Sequence, residues 1–210
     1  MKKIRLELTG VVVAFAVAVT FICVGCNDSG VADGGKEAET FLKSLYGYES
    51  VTIGGKIWMK KNLNIETADS WCHGDNTSNC DKYGRLYTWA AANAACQSIK
   101  WQLPTIYDWK ALVSAAGDDN SAGNLLKSKS GWVDDGNGTD SYGFSALPGG
   151  SRYSNGVFDN NAGYNGYWWT ATEYTGNDSS YYRDMHYGNG GVSEQIENKS
   201  RGFSVRCVKE

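Results

Sequence analysis

The sequence predicts an α+β domain, and three features of the 210-residue chain support this fold class. Alternating apolar and polar runs flank Gly54-Gly55, which is the pattern of a strand hairpin. Helix-forming segments follow between about residues 87 and 117, and residues 131–191 then hold thirteen of the 26 glycines and eight of the thirteen tyrosines. Helices in the first half with strands at both ends are typical of the α+β class.

Two helices are expected in the first half of the domain. The stretch YTWAAANAAC is rich in alanine, the strongest helix former. In the next stretch Thr105 suits the N-cap, and Gly117 suits the end of a helix. Four apolar residues between them recur at helical spacing and should face the core: Ile106, Trp109, Leu112 and Val113.

The glycine-rich half shows no long periodic segment, so we expect short antiparallel strands separated by long ordered loops rich in Gly, Asn and Tyr. Disorder is disfavoured there because Trp, Tyr and Phe are interleaved with the polar residues. Two short strands should close the domain, near YYRDMHYG and near GFSVRCV.

The N-terminus has the pattern of a lipoprotein signal peptide. Three basic residues precede an apolar run that ends at Gly25-Cys26, so residues 1–25 are expected to be removed and Cys26 to accept lipid. The alternative is an uncleaved membrane anchor, since the run is just long enough to span a bilayer. Residues 26–47 are expected to form a flexible tether with a short helical patch at 37–45, and residues 48–210 to form the domain.

Charge and location limit the partners. Removing residues 1–25 removes three basic residues and one acid, which leaves 17 Lys+Arg against 22 Asp+Glu and a net charge of −5. This balance gives no clustered basic face, so no nucleic-acid partner is expected. Asn27 is not the aspartate that retains lipoproteins at the inner membrane, so we expect a lipid anchor in the outer membrane with the domain at the cell surface.

Besides Cys26, four cysteines lie outside the signal: Cys72, Cys80, Cys96 and Cys207. An even number in an exported chain indicates two disulfides, although four cysteines allow three pairings. Cys72 and Cys80 bracket a small polar loop, which favours a local bridge and leaves Cys96 with Cys207. The sequence alone does not choose between these pairings.

Six motifs in order resemble the Fibrobacter succinogenes major paralogous domain family from about residue 50 to the C-terminus: IGGKIWMKKNLN, CDKYGRLYTWAAANAAC, WQLPTIYDW, GNGTDSYGFSALPGGSRYSNGVF, WWTATE and GFSVRCVK. One departure lies in CQSIKWQLPT. The resemblance implies a C-type-lectin-like fold, shared with the formylglycine-generating enzymes. The sequence signature of this fold comprises a cysteine on the first helix, Leu-Pro-Thr before the second helix and a cysteine on the last strand. Cys96 and Cys207 match the two cysteines, so the resemblance supports a Cys96–Cys207 bridge.

Catalytic signatures are absent from the sequence. The only histidines are His73 and His186, and the acids show no spacing that selects a catalytic pair. A redox or copper-thiolate site needs two nearby free sulfurs, and no cysteine lies between Cys96 and Cys207, so we take Cys207 as structural. We therefore expect a non-enzyme, with an enzyme related to the formylglycine-generating enzymes as an alternative.

The string DDGNGTDSYGF offers hard oxygen donors that calcium prefers: Asp134, Asp135, Asn137, Thr139 and Asp140. It lacks the EF-hand spacing and the final glutamate of that motif. Asn-Gly and Asp-Gly are also ordinary turn formers, so we interpret the string as a turn, with calcium as the alternative. No other cofactor is expected.

Aromatic and bidentate polar residues in the glycine-rich half suit a sugar ring or a protein partner. The candidates are Arg152, Tyr164, Tyr167, Trp168, Trp169, Glu173, Tyr182, Arg183 and Asp184. Adjacent residues on a strand point to opposite faces, so at least one of the two tryptophans should be in the core. The sequence thus predicts a non-catalytic surface lipoprotein that binds glycan, such as plant polysaccharide, or a protein; a structural or assembly role in the envelope is the alternative.

Overall fold

Three small antiparallel sheets and four helices build the part of the chain that this computed structural model describes, residues 47–176 and 178–210. In chain order the elements are β1 (Ser50–Ile53), β2 (Lys56–Met59), β3 (Ser70–Trp71), α1 (Thr77–Tyr83), β4 (Leu86–Tyr87), α2 (Trp89–Ser98), α3 (Ile106–Ala116), α4 (Ala122–Leu126), β5 (Asn165–Tyr174), β6 (Ser179–His186), β7 (Ser193–Asn198) and β8 (Val208–Lys209). No helix in these two ranges is long and apolar enough to cross a membrane.

The expectations for the N-terminus fall outside the described residues. These are the signal peptide at 1–25, the lipid acceptor Cys26, the helical patch at 37–45 and all of the tether except residue 47. The fold described below therefore concerns the domain alone, whose residues belong to one compact unit.

The predicted hairpin is confirmed: β1 and β2 pair with Ile53 opposite Lys56, and Gly54 and Gly55 form the turn with φ of 59° and 80°. Gly54 is required for a second reason, because an added Cβ would lie 2.6 Å from the backbone of Ala111 on α3. Strand β8 completes this sheet against β2.

Both predicted helices are confirmed as α2 and α3. Thr105 and Asp108 form a reciprocal capping box at the start of α3, and Gly117 ends the helix. The predicted apolar face of α3 is buried. The expectation of two helices is nevertheless incomplete, because α1 and α4 are also helical; each is too short to show an apolar period in the sequence.

The glycine-rich half contains longer strands than the sequence predicts. Strands β5, β6 and β7 form one antiparallel sheet, and β5 alone runs for ten residues. Its alternation is hidden because side chains from both faces of the strand are buried, so apolar residues follow one another. Strand β7 shows no apolar alternation because it is a largely exposed edge strand.

The predicted C-terminal strand near GFSVRCV is not one continuous strand in the structure. Only β8 is a continuous strand, while three preceding residues make single bridges to different neighbours: Gly202 to Arg152, Phe203 to Tyr87, and Ser204 to Trp168. Because each of these three residues pairs with a different neighbour, the segment does not form a continuous strand along any one of them.

The two faces of β5 contribute to two apolar clusters. Trp168 packs with Trp109, Leu112 and Met185 on one face. Trp169 packs on the other face with Phe203 and other residues that include Cys96. Strand β5 is therefore held from both sides.

A buried arginine joins the separate segments. Arg206 is fully buried, and its guanidinium donates to the side-chain oxygen of Asn62 and to the backbone oxygens of Met59, Phe144 and Ser145. Burial lowers its pKa to about 9, so it remains charged at neutral pH. The same Asn62 oxygen accepts from the Trp168 indole at 2.9 Å.

Both expected disulfides are present. Cys72–Cys80 closes the loop that leads into α1, and Cys96–Cys207 ties α2 to the chain just before β8 across a sequence separation of 111. The interpretation of Cys207 as a structural cysteine is confirmed, because its sulfur is bonded and its side chain is buried.

We predict that the two disulfides stabilise the fold unequally. Chain entropy favours the longer loop, so Cys96→Ala with Cys207→Ala should lower the free energy of unfolding by about 5 kcal/mol, and Cys72→Ala with Cys80→Ala by about 2.5 kcal/mol. Urea denaturation of both double variants measures the difference. Equal losses would contradict this account.

Candidate functional site

Four of the sequence candidates lie on one face of the β5–β6 pair. Tyr167 lies opposite Asp184 and Trp169 lies opposite Tyr182, so all four side chains share that face. Asn165 lies two residues before Tyr167 and points to the same face. We name Asn165, Tyr167, Tyr182 and Asp184 together the Asp184 site.

The aromatic part of the site rests on Phe203. The Tyr167 ring stacks on Phe203 with centroids 5.3 Å apart, and the Tyr182 ring meets it at 4.7 Å. Phe203 in turn packs on the buried Trp169 at 4.5 Å. Both tyrosines are only partly buried, so each rigidly supported ring has an accessible part.

Two acceptor oxygens in this site have no donor. Oδ1 of Asp184 and Oδ1 of Asn165 are both shielded, and neither receives a hydrogen bond from residues 47–176 or 178–210. Asp184 is 8% exposed and Asn165 is 6% exposed. Shielded acceptors without partners are costly, and natural proteins leave few of them.

The hydroxyl groups of the site differ in their bonding. The Tyr167 hydroxyl accepts from Asn165 Nδ2 at 3.1 Å and lies 3.5 Å from Asn161 Nδ2. The Tyr182 hydroxyl has no hydrogen-bond partner in the described part of the chain. The site thus presents one free hydroxyl beside two acceptors.

Burial and charge act together on the titratable groups. Burial raises the pKa of Asp184, and the electrostatic effects of the neighbouring His186 and Arg183 side chains oppose this only in part. Burial raises the pKa of Tyr182 to about 12, and the nearby Asp184 carboxylate adds to the effect. Burial also raises the pKa of Tyr167; the hydrogen bond with Asn165 opposes this rise, and the Asp159 and Asp184 carboxylates add to it. The tyrosines are therefore neutral at physiological pH.

A second polar cluster adjoins the site through Asn161. The Asp159 carboxylate accepts from the Ser151 hydroxyl at 2.7 Å, from Asn161 and from backbone N–H groups, and lies 3.3 Å from His73 Nε2. Burial alone would raise the pKa of Asp159, but these hydrogen bonds outweigh it and hold the pKa below its usual value.

The order of contacts in that cluster does not suit nucleophilic catalysis. A catalytic triad needs the histidine between the hydroxyl and the carboxylate. Here both Ser151 and His73 bond to Asp159, and Ser151 is fully buried. His73 is therefore a hydrogen-bond partner of Asp159.

Trp168 and Trp169 are core residues, which corrects their assignment as ligand contacts. Both are fully buried, and their indole nitrogens donate to Asn62 and to the backbone oxygen of Tyr87. No ring face of either residue is open to a ligand. The alternation of side chains along a strand required at least one of them to be in the core. Both are in the core, because each face of β5 is covered.

The remaining candidates lie apart from the Asp184 site. Arg183 points to the opposite face, where it is buried and pairs with Glu194 at 2.7 Å. Glu173 is exposed and pairs with Lys199. Tyr164 packs edge-on against Tyr187 at 5.3 Å. Arg152 lies on the hairpin 152–158, described below.

The proposed calcium string folds as a turn. Asn137 Oδ1 accepts from Trp132 N, and both carboxylate oxygens of Asp140 accept from Ser145. The backbones of Asp134, Asp135 and Asp140 take positive φ. No group of three metal-ligating His, Cys, Asp or Glu residues occurs within the described ranges.

The Fibrobacter succinogenes major domain model matches residues 51–209. The chain belongs to this family. The matched range of the Fibrobacter succinogenes major domain includes every residue of the Asp184 site. No curated protein and no solved structure matches the chain.

Sequence reasoning missed Asn165 and the neighbouring Asn161. Extending the two-residue alternation back from Trp169 through Tyr167 would have placed Asn165 on the same face. No comparable signal existed for Asn161 or Asp159, because irregular loops bring them to the site.

We predict that Asp184 lowers the stability of the fold at neutral pH. Because folding raises its pKa, the stability that Asp184 contributes is fully present below the ordinary value of 3.8 and is lost as pH rises through the folded pKa. Asp184→Asn should therefore raise the free energy of unfolding at pH 7 by on the order of 1 kcal/mol, and the gain should shrink towards pH 4.

Urea denaturation between pH 4 and pH 7 measures this gain. Asp81→Asn, at an exposed position on α1, removes the same charge and should show no such trend. A destabilised Asp184→Asn protein at pH 7 would show that the carboxylate is a structural acceptor.

Proposed function

We propose that this chain is a non-catalytic, lipid-anchored surface protein that binds extracellular glycan at the Asp184 site. The observation that carries the proposal is a pair of shielded acceptor oxygens, Asp184 Oδ1 and Asn165 Oδ1, that receive no hydrogen bond from the described residues. They lie on the same face as two tyrosine rings that pack on Phe203. A sugar supplies what the site lacks, since its hydroxyl groups donate hydrogen bonds and its C–H faces pack on aromatic rings.

The charge of the site favours a ligand that donates hydrogen bonds. Asp184 pairs with no arginine or lysine within the described ranges, so an acidic group brought to it would be repelled. A hydrogen bond to a carboxylate is stronger than one between neutral groups. The carboxylate is thus the group expected to contribute most to affinity.

The expected export signal and the resemblance to lectin-like domains support a role outside the cell. Two disulfides are typical of chains that fold in an oxidising compartment. The bridge from α2 to the last strand and the Leu-Pro-Thr before α3 are the features on which the C-type-lectin-like resemblance rests. A lipid anchor at Cys26 would hold the domain at the outer membrane, where polysaccharide is available.

We predict retention of the purified full-length chain on at least one insoluble polysaccharide among cellulose, xylan, chitin and mannan. Asp184→Asn should weaken binding at least about tenfold, because a charge-assisted hydrogen bond is lost. Tyr182→Phe removes only a hydroxyl and should weaken it about fivefold. Retention should be equal in calcium and in EDTA, since the Asn137 and Asp140 oxygens are engaged in their turn.

Tyr174→Phe is the matched control, because Tyr174 is a partly exposed tyrosine at the other end of β5. It should bind as the unaltered chain does. Substituting Trp168 or Trp169 would test the fold instead, since truncating a buried tryptophan costs about 3–5 kcal/mol. Passage of the chain through all four polymers would contradict glycan binding and favour a protein partner or an envelope assembly role.

A further inference from the structure

A stacked arginine lies on the hairpin at residues 152–158. The guanidinium carbon of Arg152 lies 3.9 Å from the ring centroid of Trp71 and 5.7 Å from that of Phe158. Cation–π contacts of this kind hold a guanidinium in place without neutralising it. We name Trp71, Arg152 and Phe158 the Arg152 cradle.

Arg152 differs from every other arginine in the described ranges. Arg85, Arg183 and Arg201 each pair with a glutamate, at 2.7 Å in each case. Arg206 donates to an amide and to backbone oxygens. The Arg152 guanidinium makes no hydrogen bond or ion pair within residues 47–176 and 178–210, and its Nε is shielded without a partner.

The backbone around the cradle fixes this arginine in position. Arg152 exchanges two backbone hydrogen bonds with Gly202, at 3.0 and 2.8 Å. The hairpin closes through Tyr153 N to Val157 O at 2.7 Å, and a Cβ added at Gly156 would lie 3.0 Å from Arg152 Nη2. The guanidinium is therefore preorganised, which reduces the entropy lost when a ligand binds.

The cradle and the Asp184 site share one segment of chain. Gly202 pairs with Arg152, and the next residue, Phe203, supports Tyr167 and Tyr182. A single extended ligand lying along this segment would meet an unpaired carboxylate at one site and an unpaired guanidinium at the other. These opposite charges would fix the direction in which it binds.

We propose that the Arg152 cradle binds the carboxylate of a uronic acid unit in the glycan held at the Asp184 site; this inference rests on the proposed function. The planar guanidinium matches a carboxylate with two parallel hydrogen bonds, and the flanking rings offer apolar faces to the sugar. The cradle is thus the part of the surface that selects acidic over neutral glycan.

The test is calorimetric titration of the full-length chain with neutral xylohexaose and cellohexaose, and with the same two oligosaccharides carrying one glucuronic acid. One acidic form should bind about tenfold tighter than its neutral parent, as expected for a charge-assisted hydrogen bond. Arg152→Gln should abolish that advantage and leave neutral binding unchanged. Arg152→Lys keeps the positive charge but lacks the planar guanidinium, so it should retain only part of the preference for the acidic form.

Lys61→Gln controls for overall charge, because Lys61 is exposed and its ion pair among the described residues is with Glu49. It should leave the preference for the acidic form intact. If the neutral oligosaccharides bind and neither acidic form binds more tightly, the proposal for the Arg152 cradle is wrong and the proposed function is retained. An equal loss of neutral and acidic binding in Arg152→Gln, or a loss of preference in Lys61→Gln, would also overturn the proposal for the cradle. No binding of any of the four ligands would remove the proposed function and the cradle together.

Discussion

The buried guanidinium of Arg206 is the constraint on which the rest of the domain depends. Removing a charge from water is expensive, and here hydrogen bonds to backbone oxygens of two segments and to Asn62 compensate for it. Asn62 also binds the Trp168 indole and the backbone of Tyr83. None of these groups can leave its place without exposing another buried polar group. The neighbouring Cys207 adds a covalent tie to α2.

This network explains how irregular loops can present a defined site. Trp168 is anchored to Asn62 on one face of β5, and Trp169 and Phe203 pack on the other. With β5 held from both faces, Tyr167 and Tyr182 rest on a rigid aromatic base. Three of the buried polar atoms that lack a partner among the described residues, in Asp184, Asn165 and Arg152, belong to the Asp184 site and the Arg152 cradle. Buried polar atoms are satisfied with few exceptions, so these exceptions point to a ligand.

Local signals in the sequence predicted the hairpin at Gly54-Gly55, the capped helix after Thr105 and, with the family resemblance, both disulfides. They failed where tertiary context decides. Strand β5 hides its alternation because both faces are buried, and β7 is a largely exposed edge strand without apolar alternation. Of the ligand candidates, Tyr167, Tyr182 and Asp184 do share a face. Burial excludes Trp168 and Trp169, and no local pattern reveals that Arg152 lacks a polar partner among residues 47–176 and 178–210.

The central claim is that ligand contacts the Asp184 site and leaves the buried tryptophans untouched. Nuclear magnetic resonance of the full-length chain with labelled tyrosine rings and tryptophan indoles tests it most directly. On titration with a soluble fragment of the retained polysaccharide, the account predicts shifts of the Tyr167 and Tyr182 ring signals. Signals of Tyr174 and of the Trp168 and Trp169 indoles should stay constant. Shifts at Tyr174 with Tyr167 and Tyr182 unchanged would contradict the account.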